Sequence, residues 1–350
     1  MARTLFGALT ISAWACLSAP ASAQSAVSLE TEIDSALTRV VLRSVGRASA
    51  QARVVATIAH RAGDPPIGAV SPDGRTLALA TVPAGGEPRR HAQLVLVDLQ
   101  RGRARTVARD LQQVPPSWSR DGRTVYAVRS YPMPPPSEAQ TRHGRLEDER
   151  LVLQAVRAAD GVAREACTDV AYVLHPIGVA AATGELVVIR VSWQGASIRA
   201  IDPGSCATRD LVADRADVLR DAHLDGRAET VVYLRRLARS HYATIERVGV
   251  SDGAPVVVAR VGDRAMPVPL GEGVAYTSGA ALVAGRVRLE APQGAISAIA
   301  SSADGALVVH RTTASGHAYS VLAPGALAER ALGLAARTTL SIAGFVGGAR

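Results

Sequence analysis

Two stretches of the chain, GAVSPDGRTLALA at 68–80 and PSWSRDGRTVYAV at 116–128, nearly repeat one another 48 positions apart. Self-similarity at such a spacing signals stacked units, each unable to bury its hydrophobic faces alone. The dipeptide Asp-Gly recurs at Asp73, Asp121, Asp160, Asp225, Asp252 and Asp304, well above what the Asp and Gly frequencies give by chance. Between apolar alternations it is a hairpin signal, because the favoured tight turn places its central residues at positive φ.

The turns fall into two alternating kinds. One kind follows a short apolar strand and precedes a strong β run, as in SPDGRTLALA, SRDGRTVYAV, ATGELVVIRV, LDGRAETVVYL, GEGVAYTSG and SADGALVVHR. The pairs Asp73-Gly74, Asp121-Gly122, Asp225-Gly226 and Asp304-Gly305 are assigned as structural turns of this kind. The other kind separates two outer strands, as in LVLVDLQRGRARTVA, LVLQAVRAADGVAREA, IRAIDPGSCATRDLV, IERVGVSDGAPVVVA and YSVLAPGALAERAL. Together they define a four-stranded antiparallel unit recurring about every 45 residues, which is the pattern of a β-propeller blade. Six units are visible. A seventh is the alternative, built from an outer strand RVVATIA at 53–59 and an inner strand TTLSIAGF at 338–345, so that the chain ends close the ring. Ahead of the repeats, Leu29, Ile33, Leu37, Val40 and Val41 keep helical spacing and predict a short amphipathic helix over 29–45. The expected organisation is a signal peptide at 1–23, an N-terminal segment at 24–52 and an all-β propeller domain at 53–350.

The strings SPDGRTLALA and PSWSRDGRTVYAV, each followed by an apolar strand and a basic outer strand, resemble TolB-type propeller repeats, a WD40-like arrangement. They are also similar to the N-terminal propeller of prolyl-oligopeptidase-like peptidases, including the lasso-peptide isopeptidases. In those peptidases the resemblance implies a following α/β-hydrolase domain with a Ser-Asp-His triad. The chain ends where that domain would start, so peptidase activity is not carried over, and a propeller working with a separate hydrolase subunit is one expectation.

The first residues, MARTLFGALTISAWACLSAPASAQS, carry one early cation, an apolar run and a small-residue Ala21-Ser22-Ala23 site, the pattern of a secretory signal peptide. No later run approaches the length that spans a bilayer. A periplasmic or secreted monomer is expected. All 39 basic residues are arginines, and the formal net charge is +8. They are scattered, aromatics are only 3%, and the compartment holds no nucleic acid, so the arginines are read as a solvated surface rather than a nucleic-acid footprint. The absence of lysine excludes Schiff-base and Ser-Lys catalysis.

Beyond the signal, Cys167 and Cys206 form an even pair in the outer strands of consecutive units, which in an exported protein favours a disulfide. Gly249-Val250-Ser251-Asp252-Gly253 matches a nucleophile-elbow pattern, but Pro255 and three valines follow where a helix is required. The histidines form no metal-binding spacing, and neither a metal nor a cofactor is expected. Blade topology puts the first-to-second and third-to-fourth turns on one face. The insertion YPMPPPSEAQTRHGRLEDER at 131–150, with Arg142 and His143, falls on the other, beside the crossings Arg109-Asp110, Thr168-Asp169, Asp214-Arg215 and Asp263-Arg264. Asp110, Asp169, Asp214, Asp263, Arg109, Arg215, Arg264, Arg142 and His143 are therefore candidate binding residues for a protein, a peptide or a small polar ligand. A non-catalytic, partner-binding propeller is the expected function, and a channel-mouth enzyme of lactonase-like hydrolase or lyase type is the alternative.

Overall fold

The computed structural model describes residues 25–44, 51–132, 148–214, 218–225, 227–236, 240–251, 253–291, 294–302, 305–323 and 329–346. The expected signal peptide at 1–23 lies outside them, as do Arg142, His143, Arg215, Gly226, Asp252 and Asp304. Twenty-eight strands make seven four-stranded antiparallel sheets. The chain begins with β1 (Ser25–Glu32), β2 (Leu37–Ser44) and β3 (Ala52–Ala59). Blade 1 follows as β4 (Ile67–Val70), β5 (Thr76–Thr81), β6 (Ala92–Asp98) and β7 (Ala104–Leu111). Blade 2 is β8 (Ser117–Trp118), β9 (Thr124–Tyr131), β10 (Glu149–Arg157) and β11 (Ala163–Ala171). Blade 3 is β12 (Val173–Val179), β13 (Leu186–Ser192), β14 (Gly195–Ile201) and β15 (Thr208–Asp214). Blade 4 is β16 (Val218–Leu224), β17 (Thr230–Arg236), β18 (Tyr242–Gly249) and β19 (Val256–Gly262).

Blade 5 is trimmed, with β20 (Val268–Leu270), β21 (Gly273–Ser278), β22 (Ala281–Ala284) and β23 (Val287–Glu290). Blade 6 is β24 (Ala295–Ser301), β25 (Leu307–Thr313), β26 (Gly316–Leu322) and β27 (Glu329–Ala331). The final strand β28 (Thr338–Val346) pairs with β1 as the innermost strand of blade 7, in the order β28-β1-β2-β3. The seven-bladed alternative is the one realised. Closure through both chain ends removes the open edges a linear array would expose.

The expected N-terminal helix is absent, and residues 25–44 are the hairpin β1–β2, turned at Asp34 with φ 68°. The misreading has a physical cause. β1 is the second strand of its blade and is covered on both faces, so apolar and polar residues are buried alike and no alternation shows. Val27 and Leu29 enter the core on one face. On the other, Ser28 donates to Glu30 at 2.9 Å, and Glu30 accepts from Arg43 at 2.5 Å. Thr31 bonds Thr38 at 2.6 Å.

The SxDGRT strings close their hairpins through side chains. In blade 1 the Ser71 hydroxyl donates to Asp73 at 2.6 Å and accepts from the Thr76 amide at 2.9 Å, and Asp73 accepts from the Arg75 amide at 3.1 Å. Ser119, Asp121, Arg123 and Thr124 repeat the arrangement in blade 2. These hydrogen bonds, the serine's first, hold both aspartates below the usual carboxylate range. Only the glycine takes positive φ, 71° at Gly74 and 68° at Gly122, so the turn differs from the expected one in which both central residues do. In blade 4 the same turn has slipped: Asp225 takes the serine's place, accepting from the Glu229 amide at 2.9 Å, and Ala228 takes the glycine's place with φ 54°. An L-residue in the left-handed region costs roughly 1–2 kcal/mol. Ala228→Gly is therefore expected to raise stability by about 0.5–1 kcal/mol, read as a higher denaturant midpoint at unchanged slope.

Candidate functional site

The face carrying the second-to-third loops holds four aromatics, two of them exposed and two half-buried. Tyr131 ends β9, Tyr172 lies between β11 and β12, Trp193 turns β13 into β14, and Tyr242 opens β18. Trp193 and Tyr242 are 39% and 71% exposed. The Arg89 guanidinium lies 4.1 Å from the centroid of the Tyr172 ring and 3.5 Å from Glu149, and Arg90 donates to Glu149 at 3.0 Å. Glu149 itself is buried, so two guanidiniums share one carboxylate and positive charge is left in excess. Arg150 stands 5.4 Å from the centroid of the Tyr131 ring. Asp148 accepts from the Trp193 amide at 3.0 Å, and burial raises its carboxyl above the usual range. Both bases of the 133–147 insertion are thus held by neighbouring blades: Ser130 donates to the Arg89 carbonyl at 2.7 Å on one side, and Asp148 holds Trp193 on the other.

The candidate crossing residues stand at the outer rim of this face, one group per blade. Arg109 and Asp110 belong to β7, and Arg129 donates to their carbonyls at 2.8 and 3.1 Å. Asp169 belongs to β11 and is held by two arginines of the next blade, Arg190 at 2.9 Å and Arg199 at 3.5 Å. Asp214 ends β15. Asp263 and Arg264 follow β19, with the Asp263 amide donating to the His241 carbonyl at 3.0 Å and its carbonyl accepting from Arg220. Asp169 and the backbone carbonyls of Arg109 and Asp110 therefore work in blade-to-blade joints, whereas the contacts of Asp263 lie within blade 4. Cys167 and Cys206 are bonded, with Cα atoms 5.4 Å apart, joining β11 to the outer hairpin of blade 3.

The opposite face holds a cavity of about 510 Å³ at the channel mouth, lined from blades 4 to 7. Val268 and Pro269 of the three-residue strand β20 stand in its wall. On its other side, the Leu224 side chain of β16 packs over Gly178 of β12, where an added Cβ would lie 2.5 Å from the leucine methyl. His223 lines the cavity beside Ile342 and Phe345. Its neighbour on β12, His175, is pushed down to about 4, first by burial and then by the charge of His223, and is neutral at neutral pH. These two histidines carried no spacing signal, because it is the stacking of blade 3 on blade 4 that brings β12 and β16 together.

Ser251 follows β18 and precedes β19, a strand-to-strand setting rather than the strand-to-helix turn of a nucleophile elbow. Among the described residues no group of three or more His, Cys, Asp or Glu side chains could hold a metal ion. No described helix is long and apolar enough to cross a membrane.

No protein-family model matches the chain, and no curated protein matches it. Solved structures do. TolB from Acinetobacter baumannii superposes with a TM-score of 0.57 at 10% identity, over 92% of this chain and 67% of that one. Prolyl oligopeptidase B from Galerina marginata gives 0.59 at 12% identity, over 92% and 51%. A chain of the nidogen/laminin complex gives 0.51 at 12% identity, over 92% and 97%. The chain thus spans about half the length of the prolyl oligopeptidase. What is shared is the fold: a β-propeller similar to that of TolB and to the propeller domain of prolyl oligopeptidases, accounting for the described chain, with no hydrolase domain among the described residues.

Proposed function

We propose that this protein is an exported, non-catalytic propeller that binds a protein or peptide partner through the face of its second-to-third loops. The observation that carries the reading is the arginine and aromatic platform at the base of the 133–147 insertion. Arg89 stacked on Tyr172, together with exposed Trp193 and Tyr242, is the residue mix that dominates binding hot spots. Loops held by a rigid scaffold are where recognition is concentrated. The leader-like residues 1–23 and the disulfide support an oxidising, extracytoplasmic setting.

The test is affinity capture from periplasmic extract, comparing the mature protein with a variant carrying Arg89→Glu, Arg90→Glu and Trp193→Ala. Truncating or reversing hot-spot residues costs upward of about 2 kcal/mol, so the variant is expected to lose a specific partner by more than roughly tenfold. Equal retention, or crosslinks that map to the Ser71–Thr76 turn face, would show the working face to be misassigned.

A further inference from the structure

Every outer strand of blades 7, 1, 2, 3 and 4 carries the same bulge, with Val55, Val107, Ala166, Leu211 and Val258 as the extra residue. Two positions before it stand Arg53, Arg105, Arg164, Arg209 and, in blade 4, Val256. Three of the arginines reach into the next blade in one way, donating to the carbonyl of the first residue after its third strand. Arg53 reaches Leu99 at 3.0 Å, Arg105 reaches Ala158, and Arg209 reaches Val250 at 2.5 Å. At the joint of Arg164 the disulfide links the two blades.

Arg209 is held by a second partner, Glu185, the residue just before β13, at 3.1 and 2.6 Å. Blade 4 keeps that acid as Glu229, just before β17, but Val256 has replaced the arginine. The Glu229 carboxylate has no hydrogen-bond or ion-pair partner among the described residues. Its neighbours are engaged elsewhere: Asp225 holds the turn amides, Arg227 stands 3.9 Å from Glu272, and Arg247 donates to the Glu272 carbonyl at 3.3 Å. A cavity of about 250 Å³ opens there between blades 4 and 5, with three carboxylates against two guanidiniums. Arg247 in its wall is the register partner of Val256, and Val256 and Val257 are 52% and 55% exposed.

We propose that this seam is a seat for an arginine side chain of a partner polypeptide, its guanidinium on Glu229 and its alkyl stem over Val256. The neighbouring seam shows the occupant in place, since Arg209 on Glu185 is the same interaction made within the chain. A planar fork suits a carboxylate bidentately, and its methylene stem covers exposed valine. The seat lies on the face opposite the arginine and aromatic platform, so it is independent of the partner-capture reading.

The test is an NMR titration of the mature protein with N-acetyl-argininamide, with N-acetyl-citrullinamide as the uncharged isostere. Saturable shifts are expected at amides 227–230 and 272–274, weakened roughly five-fold by the citrulline probe and by Glu229→Gln, the weight of a partly exposed ion pair. Val256→Arg should fill the seat from within, abolish probe binding and raise the thermal midpoint. No saturable binding by the wild type overturns the proposal, and so does binding by Glu229→Gln or Val256→Arg within about two-fold of wild type. Because Glu229→Gln changes one exposed side chain, the result stands even if Val256→Arg folds poorly.

Discussion

Glu30→Ala is expected to destabilise the protein by about 3–5 kcal/mol, the largest effect of any single side-chain change considered, measured as a fall in denaturant midpoint. Glu30 is 3% exposed and Arg43 is 8%, and the two meet at 2.5 Å on the hairpin β1–β2. Removing the carboxylate leaves a guanidinium buried without its counter-charge. That guanidinium also donates to the Leu332 carbonyl at 3.2 Å, just after β27, so the unpaired charge would sit in the joint between blades 6 and 7. A double replacement of Glu30 and Arg43 by methionine provides the internal check. It removes both charges while keeping volume, and buried ion pairs replaced in this way are often neutral or stabilising. If the double variant is as unstable as Glu30→Ala, lost packing rather than the stranded charge is responsible. A midpoint unchanged in Glu30→Ala would mean that water reaches Arg43.

Much of the ring was legible in the sequence because each blade repeats one physical problem. The SxDGRT turns announced themselves, and the end strands at 53–59 and 338–345 fell into β3 and β28 of the closing blade. What escaped was set by contacts no local window contains. β1 buries Ser28, Glu30 and Thr31 as fully as Val27 and Leu29, so its pattern imitates a helix. The Asp225-Gly226 dipeptide looked like the turn of blade 1, but the place of Gly74 in that turn falls to Ala228, at φ 54°. The sequence put Arg109, Asp110 and Asp169 after the outer strands, whereas those strands bulge at Val107 and Ala166 and run on through them. The platform of Arg89, Tyr172 and Trp193 draws on separate blades, and neither its charge balance nor its stacking has a signature along the chain.

Replacing both cysteines by serine is expected to lower stability by about 4 kcal/mol, from the loop of 39 residues that the bond closes in the unfolded chain. The site gives a reason to expect the full effect. Arg53, Arg105 and Arg209 fasten three neighbouring joints by hydrogen bonds to carbonyls, and the joint between blades 2 and 3 has the covalent link of Cys167 to Cys206 in the corresponding region. Loss of the bond should therefore appear first as local opening. Amide exchange in β11 and in the hairpin before β15 is expected to accelerate in the serine variant before the global midpoint is approached. Under native oxidising conditions neither cysteine should take an alkylating label, and both should after reduction. If the serine variant unfolds at the wild-type midpoint, the joint is held instead by Asp169 between Arg190 and Arg199. Asp169→Asn in the serine background would then produce the loss, and by more than the 0–1 kcal/mol of an ordinary surface ion pair.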